Sequence, residues 1–429
     1  MITLFLLYCG VSGYTGIADA KYNLFLWLSG GYVILSTILY IETAIVGEKV
    51  LSPKEFLRNS SWTQRCLLIY MVFTWLSALL SPHGFVAWTG SSRHEGALTL
   101  TIYVLCFLFL SVFGRVERWM LPVCALSVSV FSVISILQLG GLNPFTLYPK
   151  GYNYFGAYQD YGGAYLGTIG NVDLVASFLC IAIPIFAVAL LRRVTQEWSV
   201  LCAIALVAAC IVLVRMNVIA GYVGTLSGLV LSLPLILPVS GRTRKIMCGV
   251  LIGCALANAV LLFAVDVGDG FLHELHELLH GRIEDSFGSG RIYIWKRVLS
   301  RARNALFLGY GPDTMLLENI GSFSRFHEEL GIMIEAQIDT AHNEYLNILF
   351  HQGLFAFAAY LAALVSAIKR WITSGSKDAA VAILGSAALC YCIQACFGIS
   401  SCITAIYFWL TLGLLESHLQ RMNQGGKTK

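Results

Sequence analysis

Apolar runs as long as a bilayer helix recur along the whole chain, separated by polar breaks. At a rise of 1.5 Å per residue, about 20 apolar residues cross a hydrocarbon core roughly 30 Å thick. By that criterion the pattern predicts about twelve spans. They cover residues 2–18, 23–45, 64–81, 97–114, 119–140, 171–191, 197–215, 217–239, 246–266, 341–368, 378–397 and 400–418. The first run ends in Ala18-Asp19-Ala20, the small-residue spacing of a signal-peptidase site, but it has no basic leader and reads as an uncleaved first helix. One polar stretch, 267–340, is much longer than the others. The expected fold is an all-α polytopic membrane protein with one large external loop. Residues 1–170 would form an N-terminal set of membrane helices. Residues 171–370 would form a membrane domain that includes the loop, and 371–429 the last helices and a tail.

Composition agrees with this reading. The 429 residues are 57% hydrophobic and 12% charged, with mean hydropathy +0.74. A soluble domain of this length could not hide that much apolar surface in one core. The net charge of +4 says little by itself; its placement says more. One set of loops holds Lys49, Lys54, Arg58 and Arg65; then Arg115 and Arg118; Arg192 and Arg193; Arg242, Arg244 and Lys245; Lys369, Arg370 and Lys377; and the tail Arg421, Lys427 and Lys429. The alternate loops are poor in basic residues except 267–340, and long loops cross largely regardless of charge. The basic set is therefore cytoplasmic, both termini are inside, and 267–340 is external. Nothing in the charge pattern points to nucleic acid. The 13 cysteines lie in or beside apolar runs, which argues for small buried residues over a disulfide framework or a metal ribbon. No clear internal repeat supports a transporter built on inverted halves.

This topology gathers chemistry on the outer face. The early loop holds Arg93-His94-Glu95-Gly96, and Gly167-Thr-Ile-Gly170-Asn171 opens the sixth span. Arg215 ends the seventh, Ser289-Gly290-Arg291…Trp295 lies in the long loop, and His342-Asn343 with Tyr345 stands where that loop meets an apolar helix. Ionisable groups at membrane depth are costly and mark functional or paired sites. Arginine binds phosphate bidentately and stays charged. Arg291, Arg215 and Arg93 therefore suit a polyprenyl-diphosphate carrier, whose diphosphate sits at this depth with the glycan outside and the tail in lipid. His342 would take the proton from an incoming sugar hydroxyl, and the arginines would stabilise the departing diphosphate. No metal or other cofactor is required if arginines do that. The plainer alternative for His342 is an interfacial or helix-capping histidine; for Asn343 and Tyr345 it is ordinary membrane-interface placement.

His276-Glu277-Leu-Leu-His280 matches the zinc-protease pattern H-E-x-x-H, with Asp285 or His273 as possible third ligands. The surrounding leucines at 272, 275, 278 and 279 instead make an amphipathic helix lying on the outer leaflet.

Several pieces, in order along most of the chain, resemble the O-antigen ligase / O-antigen polymerase superfamily of bacterial membrane glycosyltransferases. They are Trp75-Leu-Ser-Ala-Leu-Leu-Ser81 followed by Arg93-His-Glu-Gly96; Gly167-Thr-Ile-Gly-Asn171 with Pro184; Ser289-Gly-Arg291 and Trp295; Gly309-Tyr-Gly311-Pro312; and His342-Asn343 with Gly353 after nine intervening residues. The resemblance implies a GT-C-like fold and a metal-independent, inverting transfer of a glycan from undecaprenyl diphosphate to an acceptor hydroxyl. It implies His342 and Arg291 as catalytic residues, with Arg215, Arg93, Asn343, Asn171 and Tyr345 binding substrate. The family shows Ser-Arg at the end of its seventh span where this chain has Val214-Arg215-Met-Asn217, so Arg215 or Asn217 holds that position. Ala356 departs from the end of the histidine motif, which leaves the acceptor open. A ligase acting on lipid A-core or another glycan is the first expectation, at the external face of the bacterial cytoplasmic membrane. A repeat polymerase and a protein O-oligosaccharyltransferase are near alternatives; a polysaccharide flippase and a zinc membrane protease are distant ones.

Overall fold

The structure, a computed structural model, describes residues 2–46, 52–156, 165–194, 196–266, 268–327, 332–374 and 378–425. Among the described residues, nine helices are long and apolar enough to cross a membrane, and Ala97–Phe113 and Ala379–Gln394 are shorter apolar helices. The chain is an all-α polytopic membrane protein. In order, the helices are α1 (Ile2–Leu7), α2 (Ile17–Phe25), α3 (Gly31–Ile45), α4 (Pro53–Asn59), α5 (Trp62–Leu80), α6 (Val86–Thr89), α7 (Ala97–Phe113), α8 (Met120–Leu139), α9 (Val172–Leu191) and α10 (Ser199–Met216). Next come α11 (Ile219–Tyr222), α12 (Gly228–Ile236), α13 (Gly241–Ala264), α14 (Gly270–Leu279), α15 (Arg291–Ala302), α16 (Glu344–Ser374), α17 (Ala379–Gln394) and α18 (Cys402–Gly425). Wide turns at Leu26–Gly30 and Val223–Ser227 join α2 to α3 and α11 to α12, so each pair runs on as one span.

Several starts follow from local chemistry. Ser61 and Gln64 cap α5 reciprocally, and Asn171 and Asp378 accept backbone N–H groups at the starts of α9 and α17. The helices then pack pairwise: α16 on α5, α18 on α7, α9 on α17 and α10 on α8. Tyr70, Tyr103, Tyr360, Tyr391 and Trp409 are buried where these pairs meet. The basic end of the bundle is tied by Arg370 to the buried Glu416 carboxylate. All 13 cysteines are free thiols.

Two expected spans change. The run 2–18 does not form a crossing helix. It stops at Leu7, and Gly10 and Gly13 take left-handed backbone angles beyond it. Six residues rise about 9 Å, far short of the hydrocarbon core. The last carbonyls of α1 are satisfied from outside: the buried Lys21 ammonium donates to Phe5 and Leu6 (2.9 Å for Leu6), and the Thr168 hydroxyl donates to Leu6 at 2.6 Å.

The second change is at 341–368, where α16 breaks at Gly353 (φ 79°, ψ −177°). A straight helix would separate residues 344 and 360 by about 24 Å. Instead the Tyr360 hydroxyl donates to Glu344 Oε1 at 2.6 Å. The segment 344–352 therefore folds back toward the longer part of the same helix. The long loop seals the break. Leu354 N donates to the Leu306 carbonyl (2.8 Å), Tyr310 N to Phe350 (3.1 Å) and Gly311 N to His351 (2.9 Å).

Apart from the amphipathic α14 and α15, the long loop contains one antiparallel hairpin, Ser322–His327 paired with Ile332–Gln337. It is the main strand structure among the described residues.

Candidate active site

His342 is held by the end of the long loop. Trp295 Nε1 of α15 donates to the Ala341 carbonyl at 2.8 Å, and Ala341 N donates to Asn347 Oδ1 at 2.8 Å. Asn343 Oδ1 accepts from Leu346 N at 3.0 Å, which caps the start of α16. His342 itself takes a positive φ of 47°, so the chain turns sharply there. The turn sets His342 Nδ1 3.9 Å from Asp173 Oδ2, with the two side chains 28% and 23% exposed. That is ion-pair range and longer than a hydrogen bond. Asp173 lies in the first turn of α9, where the helix dipole favours a carboxylate. Its backbone N–H donates to Asn171 Oδ1 at 2.9 Å. Asn171 thus builds the helix start that presents Asp173.

Arg291 is the first residue of α15, and its Nη1 donates to the Gly288 carbonyl at 2.9 Å. Residues four apart share a helix face. Arg291 therefore shares the face of α15 that carries Trp295, which is fastened to Ala341. Arg93 Nη2 pairs with Asp339 Oδ2 at 2.7 Å, three residues before His342. Its loop is wrapped around the buried Asp313: Asp313 Oδ2 accepts N–H bonds from Ser91 (2.7 Å), Arg93 (3.1 Å) and Glu95 (3.3 Å). Such a nest of amides suits an anion.

The structure thus brings His342, Asp173, Asn171 and Asn343 together, with Arg93 tied to Asp339 three residues before the histidine and Arg291 on the helix that holds Ala341. Arg215 is apart. It lies exposed in the last turn of α10, which ends on Asn217 in a left-handed cap. Tyr345 points inward, its hydroxyl donating to the Cys392 carbonyl at 2.7 Å.

Beneath the Arg93–Asp339 pair is a small cavity of about 50 Å³ that Glu95, Asp313, Glu344 and His351 help to line. Glu95 accepts from the Tyr103 hydroxyl (2.6 Å) and Ser400 (3.2 Å). Burial pushes its carboxyl up to about 8, and the Asp313 and Glu344 carboxylates add to the rise. Glu344 accepts from Tyr360 and from Tyr391 (2.9 Å).

The H-E-x-x-H histidines are used structurally. His276 Nδ1 bonds the Leu262 carbonyl near the end of α13 at 2.7 Å, and His280 Nδ1 bonds the His276 carbonyl at 2.9 Å. A different trio, Asp266, His273 and Glu277, brings donor atoms within 4.8 Å of one another. Arg282 already occupies both oxygens of that glutamate, at 2.6 Å each. The Arg282 guanidinium holds the Glu277 carboxyl below its ordinary value, and the bond to His273 does the same for Asp266.

Fold and site together define a multi-pass membrane protein with a histidine–carboxylate pair and arginines at the ends of its helices. Residues 203–361 match the family model described as O-antigen ligase. The match runs from α10 through the long loop into α16 and contains Arg215, Arg291 and His342. It supports the O-antigen ligase superfamily, whose members are ligase- or polymerase-like membrane glycosyltransferases. No curated protein matches the chain.

Sequence reasoning missed Asp173, Asp313, Asp339 as the partner of Arg93, and Glu344. Asp173 is 169 positions from His342, so no spacing could join them. The one available signal was its place two residues after the capping Asn171.

Proposed function

We propose that the chain transfers a glycan from an undecaprenyl-diphosphate carrier to an acceptor hydroxyl at the external face of the bacterial cytoplasmic membrane. The observation that carries this reading is the His342–Asp173 pair at the junction of loop and helix. His342 accepts the acceptor hydroxyl proton as that oxygen attacks the anomeric carbon. The bond from that carbon to the diphosphate oxygen breaks, and undecaprenyl diphosphate leaves with the electron pair. Attack opposite the leaving group inverts the anomeric centre, and His342 then releases its proton to water. Asp173 faces the positive charge that develops on the imidazole. Arg291 meets the diphosphate in this reading, where a guanidinium fork supplies both charge and geometry without a metal. Arg215 is close to the lipid phase, which suits the carrier more than the sugar. A ligase using lipid A-core or another glycan as acceptor is favoured; a polymerase would use the same chemistry on a second lipid-linked repeat.

The test is reconstitution in liposomes with an undecaprenyl-diphosphate glycan and a rough lipopolysaccharide acceptor. Glycan should move to the acceptor, chelators should leave the rate unchanged, and His342→Ala should abolish transfer while the protein stays folded. Full activity in that variant removes the proposed base. Lengthened carrier-linked chains in place of acceptor product identify a polymerase.

A further inference from the structure

A polar chamber of about 320 Å³ opens beside the candidate site, on the far side of the Arg93–Asp339 pair from the small acidic cavity. Tyr14, Asp19, Arg93, His94, Asn171 and Asp339 all help to line it. We infer that this chamber seats a neutral, hydroxyl-rich sugar residue of the acceptor. The inference rests on the glycan-transfer reading and adds where the acceptor binds.

Its charge argues against the diphosphate. Arg93 is matched by Asp339 at 2.7 Å, and His94 Nε2 lies 2.9 Å from Asp19 Oδ1. The ring of His94 is fixed by stacking on Tyr22, with centroids 4.2 Å apart. Among these residues no cation is left over for a phosphate. Each carboxylate keeps acceptor sites after one ion pair, and sugar hydroxyls are donors that fit them. The Asp19 side chain is 76% exposed, so those sites are reachable. Tyr14 spends its hydroxyl on the Gly167 carbonyl at 2.7 Å and on Gln138, and its buried ring packs against Tyr148 and Tyr165, so it is a fixed wall of the chamber. Reachable carboxylate oxygens beside fixed walls, in a volume of this size, suit a small polar ligand.

Its location fits an acceptor. Asn171 lines the chamber and also caps the helix whose first turn carries Asp173. Asp339 lines it and precedes His342 by three residues. A sugar held here lies against Asn171 and Asp339, two residues from Asp173 and three from His342 along the chain.

Two variants test this in nanodiscs. Ala18→Trp fills the chamber from an exposed lining position, and Asp19→Asn removes a charged acceptor while keeping shape. With rough lipopolysaccharide as acceptor, each should raise the acceptor KM at least tenfold and leave undecaprenyl diphosphate binding within twofold of the wild type. Unchanged acceptor KM, or loss of undecaprenyl diphosphate binding with acceptor KM intact, overturns the assignment. A second measurement does not depend on transfer: saturation-transfer NMR with maltotriose as a neutral saccharide probe. Wild-type signal that disappears in Ala18→Trp supports the chamber even if no glycan transfer is found. Equal signal in both overturns it. If Ala18→Trp does not fold, Asp19→Asn carries both readouts.

Discussion

Gly353→Ala is a severe test of how the site is built. At φ 79° and ψ −177°, Gly353 occupies a backbone region that is essentially closed to other residues, at a cost of about 1–3 kcal/mol. A Cβ there would lie 2.3 Å from the Phe307 carbonyl oxygen and 2.5 Å from Leu308 N, both backbone atoms that cannot swing aside. Relief requires the 306–311 segment to move off the break. That abandons the Leu354–Leu306, Tyr310–Phe350 and Gly311–His351 bonds, each worth about 1 kcal/mol net. Strain and lost bonds together come to about 4–6 kcal/mol. The displaced segment also leads into the Asp313 nest that shapes the Arg93 loop. Thermal unfolding in detergent should show a drop in Tm well beyond that of Gly249→Ala, where an added methyl meets open space, and transfer should fall with it. A Tm within two degrees of wild type and normal transfer would refute the idea that the break is held by the inserted loop.

Asp173→Asn should reduce kcat with little change in donor KM. At 3.9 Å the pair is worth about 4 kcal/mol at an effective dielectric of 20, and partial exposure of both side chains cuts that to a roughly tenfold to hundredfold rate effect; an unchanged kcat would separate Asp173 from the chemistry. Arg291→Lys should lose most transfer, because an ammonium lacks the guanidinium fork, and wild-type rates would exclude diphosphate contact there. For Glu95 the sign is set by a folded-state carboxyl raised to about 8 from 4.5: the fold holds a proton that the unfolded chain has lost, so stability falls as pH rises through that window. Tm measured from pH 5 to 8.5 should decline in the wild type and be flatter in Glu95→Gln; parallel curves would place the proton elsewhere.

Much of the frame was legible as periodicity, because a bilayer demands long apolar runs and nearly every long run here became a helix. The exceptions have local causes. The first run contains Gly10 and Gly13 within an otherwise apolar stretch, and hydropathy counts them as neutral although they end the helix. Gly353 likewise looked like a permitted residue in a span, and only its contact with Phe307 reveals a break. At the site, the loop segments carrying Arg93, Arg291 and His342 were readable as short motifs in order. Their partners were not, since Asp173, Asp313 and Asp339 are ordinary acids in sequence and gain meaning only when distant segments meet. Tyr345 shows the reverse: it sits in the motif, yet its hydroxyl is used inside the bundle.

The bonds from Lys21 to the end of α1 bear on biogenesis. A lysine within an apolar segment opposes membrane insertion by roughly 2.5–3.5 kcal/mol at the bilayer centre. Its ammonium is buried on the Phe5 and Leu6 carbonyls, which lie at the end of α1 and have no helical partner there. Each half thus removes the other's penalty: the open helix end needs a donor, and the lysine needs acceptors. The lysine is thus accommodated only when α1 is folded against α2, and that pair is docked on α8 through Thr3 and Ser127.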